Sequence, residues 1–271
     1  MNNTILNKII VDISDKTVEK AFKVNSAENI SGRIFPYSED GYPFSDSLYV
    51  CDTPEGCEAL IKKGYPVAAL VHEGNRNADF AGVKYILEQP EDISLEDYDH
   101  IYRRICGLPV DIMETDRLII RETMIEDLDR FYEIYDDPEV ISFMEPLFSR
   151  DEEEVYQQNY IRNVYSLLGI GLWTVIRKED DTIIGRMGIE YTTEEGNVEL
   201  GFVVDAEARR QGYAYEACTA IIDYARTLDG VDRVIARVRR DNSVSQNLCK
   251  KLNMTPGREL NDGLVEWTLD L

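Results

Sequence analysis

Two hydrophobic rhythms run along this 271-residue chain: short apolar runs bounded by turn residues, and apolar residues recurring at three- and four-residue steps. The first reads as buried strand and the second as one face of a helix. In the front part, residues 48–51, 67–71 and 83–87 predict three short strands. Thr53 is placed as an N-cap and Pro54 as a first helical residue, with the helix running to Lys63 and closed by Gly64. A polar loop covers residues 72–77, and Ser94 opens a helix whose Leu95, Tyr98, Ile101 or Tyr102, and Ile105 share a face. Residues 1–30 are expected to add helix. Strand–helix–strand order predicts a small parallel α/β layer. Gly107-Leu108-Pro109 is a short junction, so the chain divides into a front domain, 1–111, and a second domain, 112–271. No internal repeat or low-complexity segment interrupts either.

The second domain carries the sharper signal. An apolar strand spans residues 198–204, and an amphipathic helix follows with Ala214, Ala217, Cys218, Ile221, Ala225 and Leu228 on one face. Gly230 is expected just past its end. Residues 231–238 predict another strand. A further helix starts at Asn242 or Ser243, with Ser243 and Gln246 fitting a capping box and Val244, Leu248 and Leu252 forming its stripe. Between the first strand and helix lies Arg209-Arg210-Gln211-Gly212-Tyr213-Ala214. The first N–H groups of a helix lack internal partners, and the helix dipole is positive there. Gly212 lets backbone approach a ligand, Ala214 keeps the first turn uncrowded, and Arg209 and Arg210 offer charged donors to phosphate oxygens. The same stretch also reads as an ordinary strand–turn–helix corner with surface arginines.

The ordered set of motifs resembles the GNAT superfamily of acetyl-CoA-dependent N-acetyltransferases. It is most similar to the branch containing the ribosomal-protein N-terminal acetyltransferases RimJ and RimL. Residues 114–121 match the opening strand, 127–132 and 136–140 the first helix and its exit, and 173–176 with 183–189 the central hairpin. Residues 199–204 with 211–217 match the cofactor segment, and 242–245 the later helix entrance. The resemblance covers about residues 113–271. It implies an α/β GNAT fold, a bent and partly splayed mixed sheet flanked by helices, with acetyl-CoA in the splay. Backbone groups of Phe202, Val203 and Val204 would pair with the pantetheine arm, residues 209–214 would hold the pyrophosphate, Asn242 would reach the pantetheine amides, and Ser245 would sit near the thioester sulfur. Ala206 stands where the family often has Pro, and Asn253-Met254 where it has Gly-Phe; Asn tolerates the left-handed conformation that Gly supplies. Residues 243–254 contain no Tyr to serve as the general acid some members carry there.

Transfer to nitrogen requires a base, because an alkylammonium with a pKa of about 10 cannot attack a thioester. Glu199, acting through water, is the first candidate, with a structural carboxylate as its other reading. Glu190 on the neighbouring strand is the second. A backbone N–H near Val204 would hold the oxyanion. Ser245 would protonate the leaving thiolate, or is simply a polar residue of a first helical turn. Attack by the amine is direct, and Cys249 is read as packing. A non-catalytic acyl-CoA-binding sensor is the competing reading of the same cofactor turn.

Composition narrows the partners. The formal charge of −23 argues against nucleic acid, whose phosphates need clustered Lys and Arg. It favours a cationic amine, either a small molecule or a protein N-terminus. Asp151-Glu152-Glu153-Glu154 would border the substrate entrance, or forms the acidic first turn of a solvated helix. Five scattered cysteines without metal spacing point to a reducing cytoplasm, no metal site is expected, and no apolar run approaches the ~20 residues that span a bilayer. The front domain resembles the C-terminal half of a haloacid-dehalogenase-like domain. Asp-x-Asp occurs in residues 1–110 only within Asp97-Tyr98-Asp99, on the expected helix, so no phosphohydrolase is expected. Asp52, Glu73, Asn75 and Arg76 are candidates for a small-ligand or partner site at its strand ends, and loop capping or domain docking explains them equally well.

Overall fold

The computed structural model of the chain describes residues 5–25, 30, 32–38 and 46–271. It divides into two compact units, Met1–Val110 and Asp111–Leu271. The first contains strands β1 (Lys8–Asp12), β2 (Ile34–Pro36), β3 (Ser47–Cys51), β4 (Val67–Leu70) and β5 (Tyr85–Leu87). All neighbours are parallel, in the order β2-β1-β3-β4-β5. Helices α1 (Lys16–Asn25), α2 (Pro54–Lys62) and α3 (Leu95–Ile105) accompany them. Because strand side chains alternate, Ile9, Val11, Leu48 and Val50 join a core with Phe22, Tyr98 and Tyr102, while Ile10, Tyr49 and Cys51 join another with Cys57 and Leu60. A sheet buried on both faces explains the continuous apolar runs seen in the sequence.

One expectation is corrected here. Residues 8–12, read as part of a front helix, form the strand that pairs with both β2 and β3. Ile9-Ile10-Val11 is β-branched throughout, which favours a pleated surface, and helix begins only at Lys16. Residues 1–4 and 26–29 of that expectation lie outside the described residues. The polar groups at the strand ends are turned to internal use. Asp52 Oδ1 accepts from Ser14 N at 2.8 Å and Ser14 Oγ at 2.7 Å. Asn75 Nδ2 donates to Asp52 O at 2.8 Å and Leu70 O at 2.9 Å, and its Oδ1 accepts from His72 N at 2.7 Å. Loop capping accounts for both residues, and Glu73 and Arg76 are exposed.

The second unit carries an eight-stranded sheet: β6 (Asp111–Glu114), β7 (Leu118–Arg121), β8 (Leu172–Arg177), β9 (Thr182–Tyr191), β10 (Asn197–Val204), β11 (Arg233–Arg239), β12 (Thr255–Glu259) and β13 (Leu264–Asp270). Its order is β12-β13-β11-β10-β9-β8-β7-β6, antiparallel everywhere except between β10 and β11. Helices α4 (Leu128–Tyr135), α5 (Pro138–Ile141) and α6 (Arg150–Tyr160) precede β8, with a π-helical turn, Ile161–Tyr165, continuing α6. Helix α7 (Tyr213–Ala225) follows β10, and α8 (Ser243–Lys251) follows β11. On one face of the sheet, Ala217, Cys218, Ile221 and Ala225 of α7 pack with Met187, Ile189, Val198 and Leu200. On the other, Leu128, Phe131 and Ile134 of α4 pack with Val203. A buried, two-pronged ion pair joins Arg121 to Asp127 at 2.6 and 2.7 Å and ties β7 to the start of α4. Among the described residues no helix is long and apolar enough to cross a membrane.

One helix end and one helix cap differ from expectation, while α8 starts where the sequence places it, at Asn242–Ser243. α7 stops at Ala225, five residues before Gly230, because the chain tightens into a turn with Thr227 N on Tyr224 O and Leu228 N on Ala225 O. α8 is capped by Asn242, whose Oδ1 accepts from Ser245 N at 3.0 Å, rather than by Ser243. Gln246 does not close a capping box but donates to Arg240 O at 2.7 Å. Asn253 has the left-handed conformation, with φ of 61°.

Candidate active site

The register of β10 defines the site. Only Asn197, Val198 and Glu199 pair with β11, whereas residues 198–204 all pair with β9. Residues 200–204 thus pair on one side only, at a parallel junction that opens along β10. Unpaired N–H and C=O groups on a strand edge are a template for an added extended segment. Phe202, Val203 and Val204 lie on that edge.

The chain leaves β10 through Asp205, whose carboxylate pairs with Arg130. It then passes through a 3₁₀ turn, Ala206–Ala208, to the arginine pair. The sequence assigns Arg209 to phosphate, but its guanidinium is engaged elsewhere. It donates to Glu139 at 2.8 Å, Asp137 at 3.0 Å and Val204 O at 3.3 Å, bracing the turn against the start of α5. Arg210, by contrast, is exposed and left-handed, with φ of 63°. Gln211 Nε2 donates to Glu207 O at 2.7 Å, which fixes the turn internally. Gly212 is also left-handed, with φ of 86°, and stands at the N-cap of α7. No side chain caps this helix. Its first N–H groups, from Tyr213 and Ala214 onward, therefore point out of an open, electropositive end.

A third arginine, missed in the sequence, completes the turn. Arg117 Nε meets Glu216 Oε2 at 2.6 Å, an NH group donates to Gln211 O at 3.0 Å, and the guanidinium lies 4.4 Å from the centre of the Tyr213 ring. A Cβ on Gly212 would come 3.4 Å from this guanidinium. Arg117 lies 94 residues from Gln211, so local spacing carries no trace of the contact. The free strand edge, the uncapped helix end, the close-approach glycine and Arg210 together suit an elongated ligand with an amide-bearing arm and a phosphate group.

At the closed end of the junction, Glu199 and Glu190 sit directly opposite each other on paired strands. Glu190 Oε1 accepts from Tyr160 Oη at 2.6 Å. Glu199 Oε2 accepts from Arg237 at 2.6 Å, a partner the sequence did not reveal. Arg237 also approaches Glu266, at 3.6 Å, and Glu266 is paired with Arg258 at 2.8 Å. Burial pushes the Glu199 pKa above the ordinary 4.5, Arg237 pulls it down, and the Glu190 and Glu266 carboxylates push it up again. Burial and the neighbouring Glu190 raise the Tyr160 pKa, so this phenol remains a donor at neutral pH. Ser245 is half-buried in the first turn of α8, with its N–H held by Asn242. Asn242 Oδ1 caps the helix, and its Nδ2 remains a donor for a ligand. Among the described residues no group of three or more His, Cys, Asp or Glu is arranged to hold a metal.

Residues 117–255 match the family model of the acetyltransferase (GNAT) domain. The chain is 30% identical over 146 residues to the uncharacterised N-acetyltransferase p20 of Bacillus licheniformis, covering 53% of this chain and 82% of that protein. A GNAT-family acetyltransferase structure from Bacillus anthracis shares the fold at a TM-score of 0.50 and 20% identity, over 59% of this chain and 96% of that one. The spermidine N-acetyltransferase of Vibrio cholerae, solved with CoA and spermine, does so at a TM-score of 0.50 and 17% identity, over 58% and 96%. The chain belongs to the GNAT family and is an acetyl-CoA-dependent N-acetyltransferase.

Proposed function

We propose that the second domain, 112–271, transfers acetyl from acetyl-CoA to a cationic primary amine, either a small molecule or a protein N-terminus of the RimJ/RimL kind. The observation that carries this reading is the opening of β10 away from β11 beside an uncapped helix. The pantetheine arm lies along Phe202, Val203 and Val204 as an added strand. The pyrophosphate rests on the N–H groups of residues 211–214, with Arg210 and Arg117 as the nearby cations and Arg209 bracing the turn. Asn242 Nδ2 donates to a pantetheine carbonyl. Glu199 takes the ammonium proton through water, and Glu190 opposite it keeps that carboxylate basic. The amine nitrogen then bonds to the thioester carbon while a backbone N–H near Val204 holds the oxyanion. The C–S bond breaks and Ser245 Oγ supplies the proton to sulfur, recovering one through solvent from Glu199.

The acidic surplus of the chain attracts a cation and opposes an anion, so the arginines at the turn act locally against the global field. Neither nucleic acid nor membrane is a partner in this reading, and the protein works in the cytoplasm. The front domain, 1–111, has no catalytic part in it. The test is acetyl-CoA titration in a calorimeter, followed by amine-dependent release of free thiol. Binding with amine-dependent release is expected. Binding without release for any amine would instead favour an acyl-CoA sensor.

A further inference from the structure

Where β10 parts from β11, the register places one charged residue at the apex of the opening. Asn197, Val198 and Glu199 pair with Arg233, Val234 and Ile235, and the ladder stops there. Continued by two residues, it would set Gly201 against Arg237. β11 instead stays paired on its other side, where Arg237 stands opposite Glu266 of β13. The Arg237 guanidinium turns back to the last paired residue of β10, with an NH group 2.6 Å from Glu199 Oε2. Its Nε lies 3.6 Å from Glu266. Glu266 is buried and is held by Arg258 Nε at 2.8 Å, and Arg258 also meets Glu194 at 2.6 Å. Charge thus alternates from Glu199 to Arg237, Glu266 and Arg258 across β10, β11, β13 and β12. Alternation of this kind holds a long guanidinium side chain in one orientation.

The two carboxylates at the closed end of the junction are therefore not equivalent. Like charges directly opposite on paired antiparallel strands repel. Glu190 has a neutral partner, the Tyr160 hydroxyl, whereas Glu199 has a cation. Glu199 Oε1 has no hydrogen-bond partner among the described residues. We propose that Arg237 is a positioning residue for the transfer: it fixes Glu199 through Oε2, keeps it ionised beside Glu190 and leaves Oε1 to take the ammonium proton through water. This rests on Glu199 being the base, as in the transferase reading above. The charged groups that act on Glu199 are Arg237 from β11, Glu190 from β9 and Glu266 from β13. Burial and the two carboxylates raise its pKa, and Arg237 alone opposes them. Removing the cation therefore moves protonation of Glu199 to higher pH, and removing the Glu266 charge moves it to lower pH.

The test is the pH profile of kcat/KM for thiol release from acetyl-CoA, with spermidine, phenethylamine and a basic peptide as acceptors. Acetyl-CoA affinity verifies that each variant is folded. Arg237→Gln should lose about tenfold or more of kcat/KM at about pH 6, its acid limb moving to higher pH, and recover on the alkaline side. Arg237→Lys should return the limb most of the way, and Glu266→Gln should move it in the opposite direction. Arg233→Gln, on the same strand but paired with Asp270 at 2.6 Å, should leave the profile as it is. In a Glu199→Gln background, adding Arg237→Gln should change nothing further in the acid limb. If Arg237→Gln fails to bind acetyl-CoA, the direction of the limb in Glu266→Gln decides. An equal loss at every pH, or an unmoved limb in Arg237→Gln and Glu266→Gln while Glu199→Gln is slow, overturns the role of Arg237 and leaves Glu199 as the base. Parental turnover in Glu199→Gln, or no thiol release with any acceptor, overturns the base and this role with it.

Discussion

Each unit contains a strand that ends at a polar turn and leads into a helix, and the two corners treat their helix ends in opposite ways. After β3, Thr53 Oγ1 accepts from Gly56 N at 3.2 Å and Pro54 fills the first helical position. There Asp52 and Asn75 bind backbone groups of the adjoining loops, and the corner is internally satisfied. After β10, the N-cap is a left-handed glycine, no side chain caps the helix, and the strand before it has no strand partner along one edge beyond Glu199. The first arrangement stabilises a fold. The second keeps donors available, which a protein tolerates where a ligand completes them. Candidate sites on this chain are thus recognised less by which polar residues stand at a strand end than by which of them lack internal partners.

Exchanging features between the corners probes this contrast. The largest expected effect is at Gly212. Gly212→Val places a β-branched residue at φ of 86° and a Cβ beside Arg117, and acetyl-CoA binding should be abolished in a calorimetric titration. Next is the chemistry at the closed end of the junction. Glu199→Gln should spare acetyl-CoA affinity but lower kcat by about 10²-fold or more, the range of a lost general base. Unchanged turnover would assign Glu199 a structural role with Arg237. In the parent protein, kcat/KM should fall toward acid pH as Glu199 protonates, with a midpoint above 4.5 because its pKa is raised, and the Gln variant should lack this limb. The sign for stability is opposite: a raised carboxyl pKa favours the folded state below the unfolded value, and that contribution is lost as pH rises through the folded one. Arg210→Ala should weaken acetyl-CoA binding by about three- to tenfold, an exposed charge-assisted contact being modest. Smallest for function is Thr53→Ala, which should cost about 1 kcal/mol of stability by denaturant unfolding and leave acetyl-CoA binding as it was.

Much of this contrast was legible in the chain itself. Thr53-Pro54, Ser94 with its helix, and Gly212 between an apolar strand and an amphipathic helix are local signals, and local signals survive folding. Three features were not legible, for a common physical reason. β1 reads as helix from the sequence because a run of only three β-branched residues does not reveal that it will be covered on both faces by distant segments. Arg209 carried the signature of a phosphate donor, yet Asp137 and Glu139, about 70 residues earlier, engage it. Arg117 and Arg237 were invisible as site residues because their partners, Gln211, Glu216 and Glu199, are brought to them only by the sheet order. Charge pairing across a fold is a tertiary property, and it decides which of several plausible arginines is available.

The central claim is that the uncapped end of α7 holds the cofactor's pyrophosphate. Acetyl-CoA titration of the full chain alongside its Gly212→Val and Thr53→Ala variants tests it most directly, with circular dichroism verifying that each is folded. The account predicts equal binding by the parent and Thr53→Ala and none by Gly212→Val. A folded Gly212→Val protein that binds acetyl-CoA as tightly as the parent would contradict it.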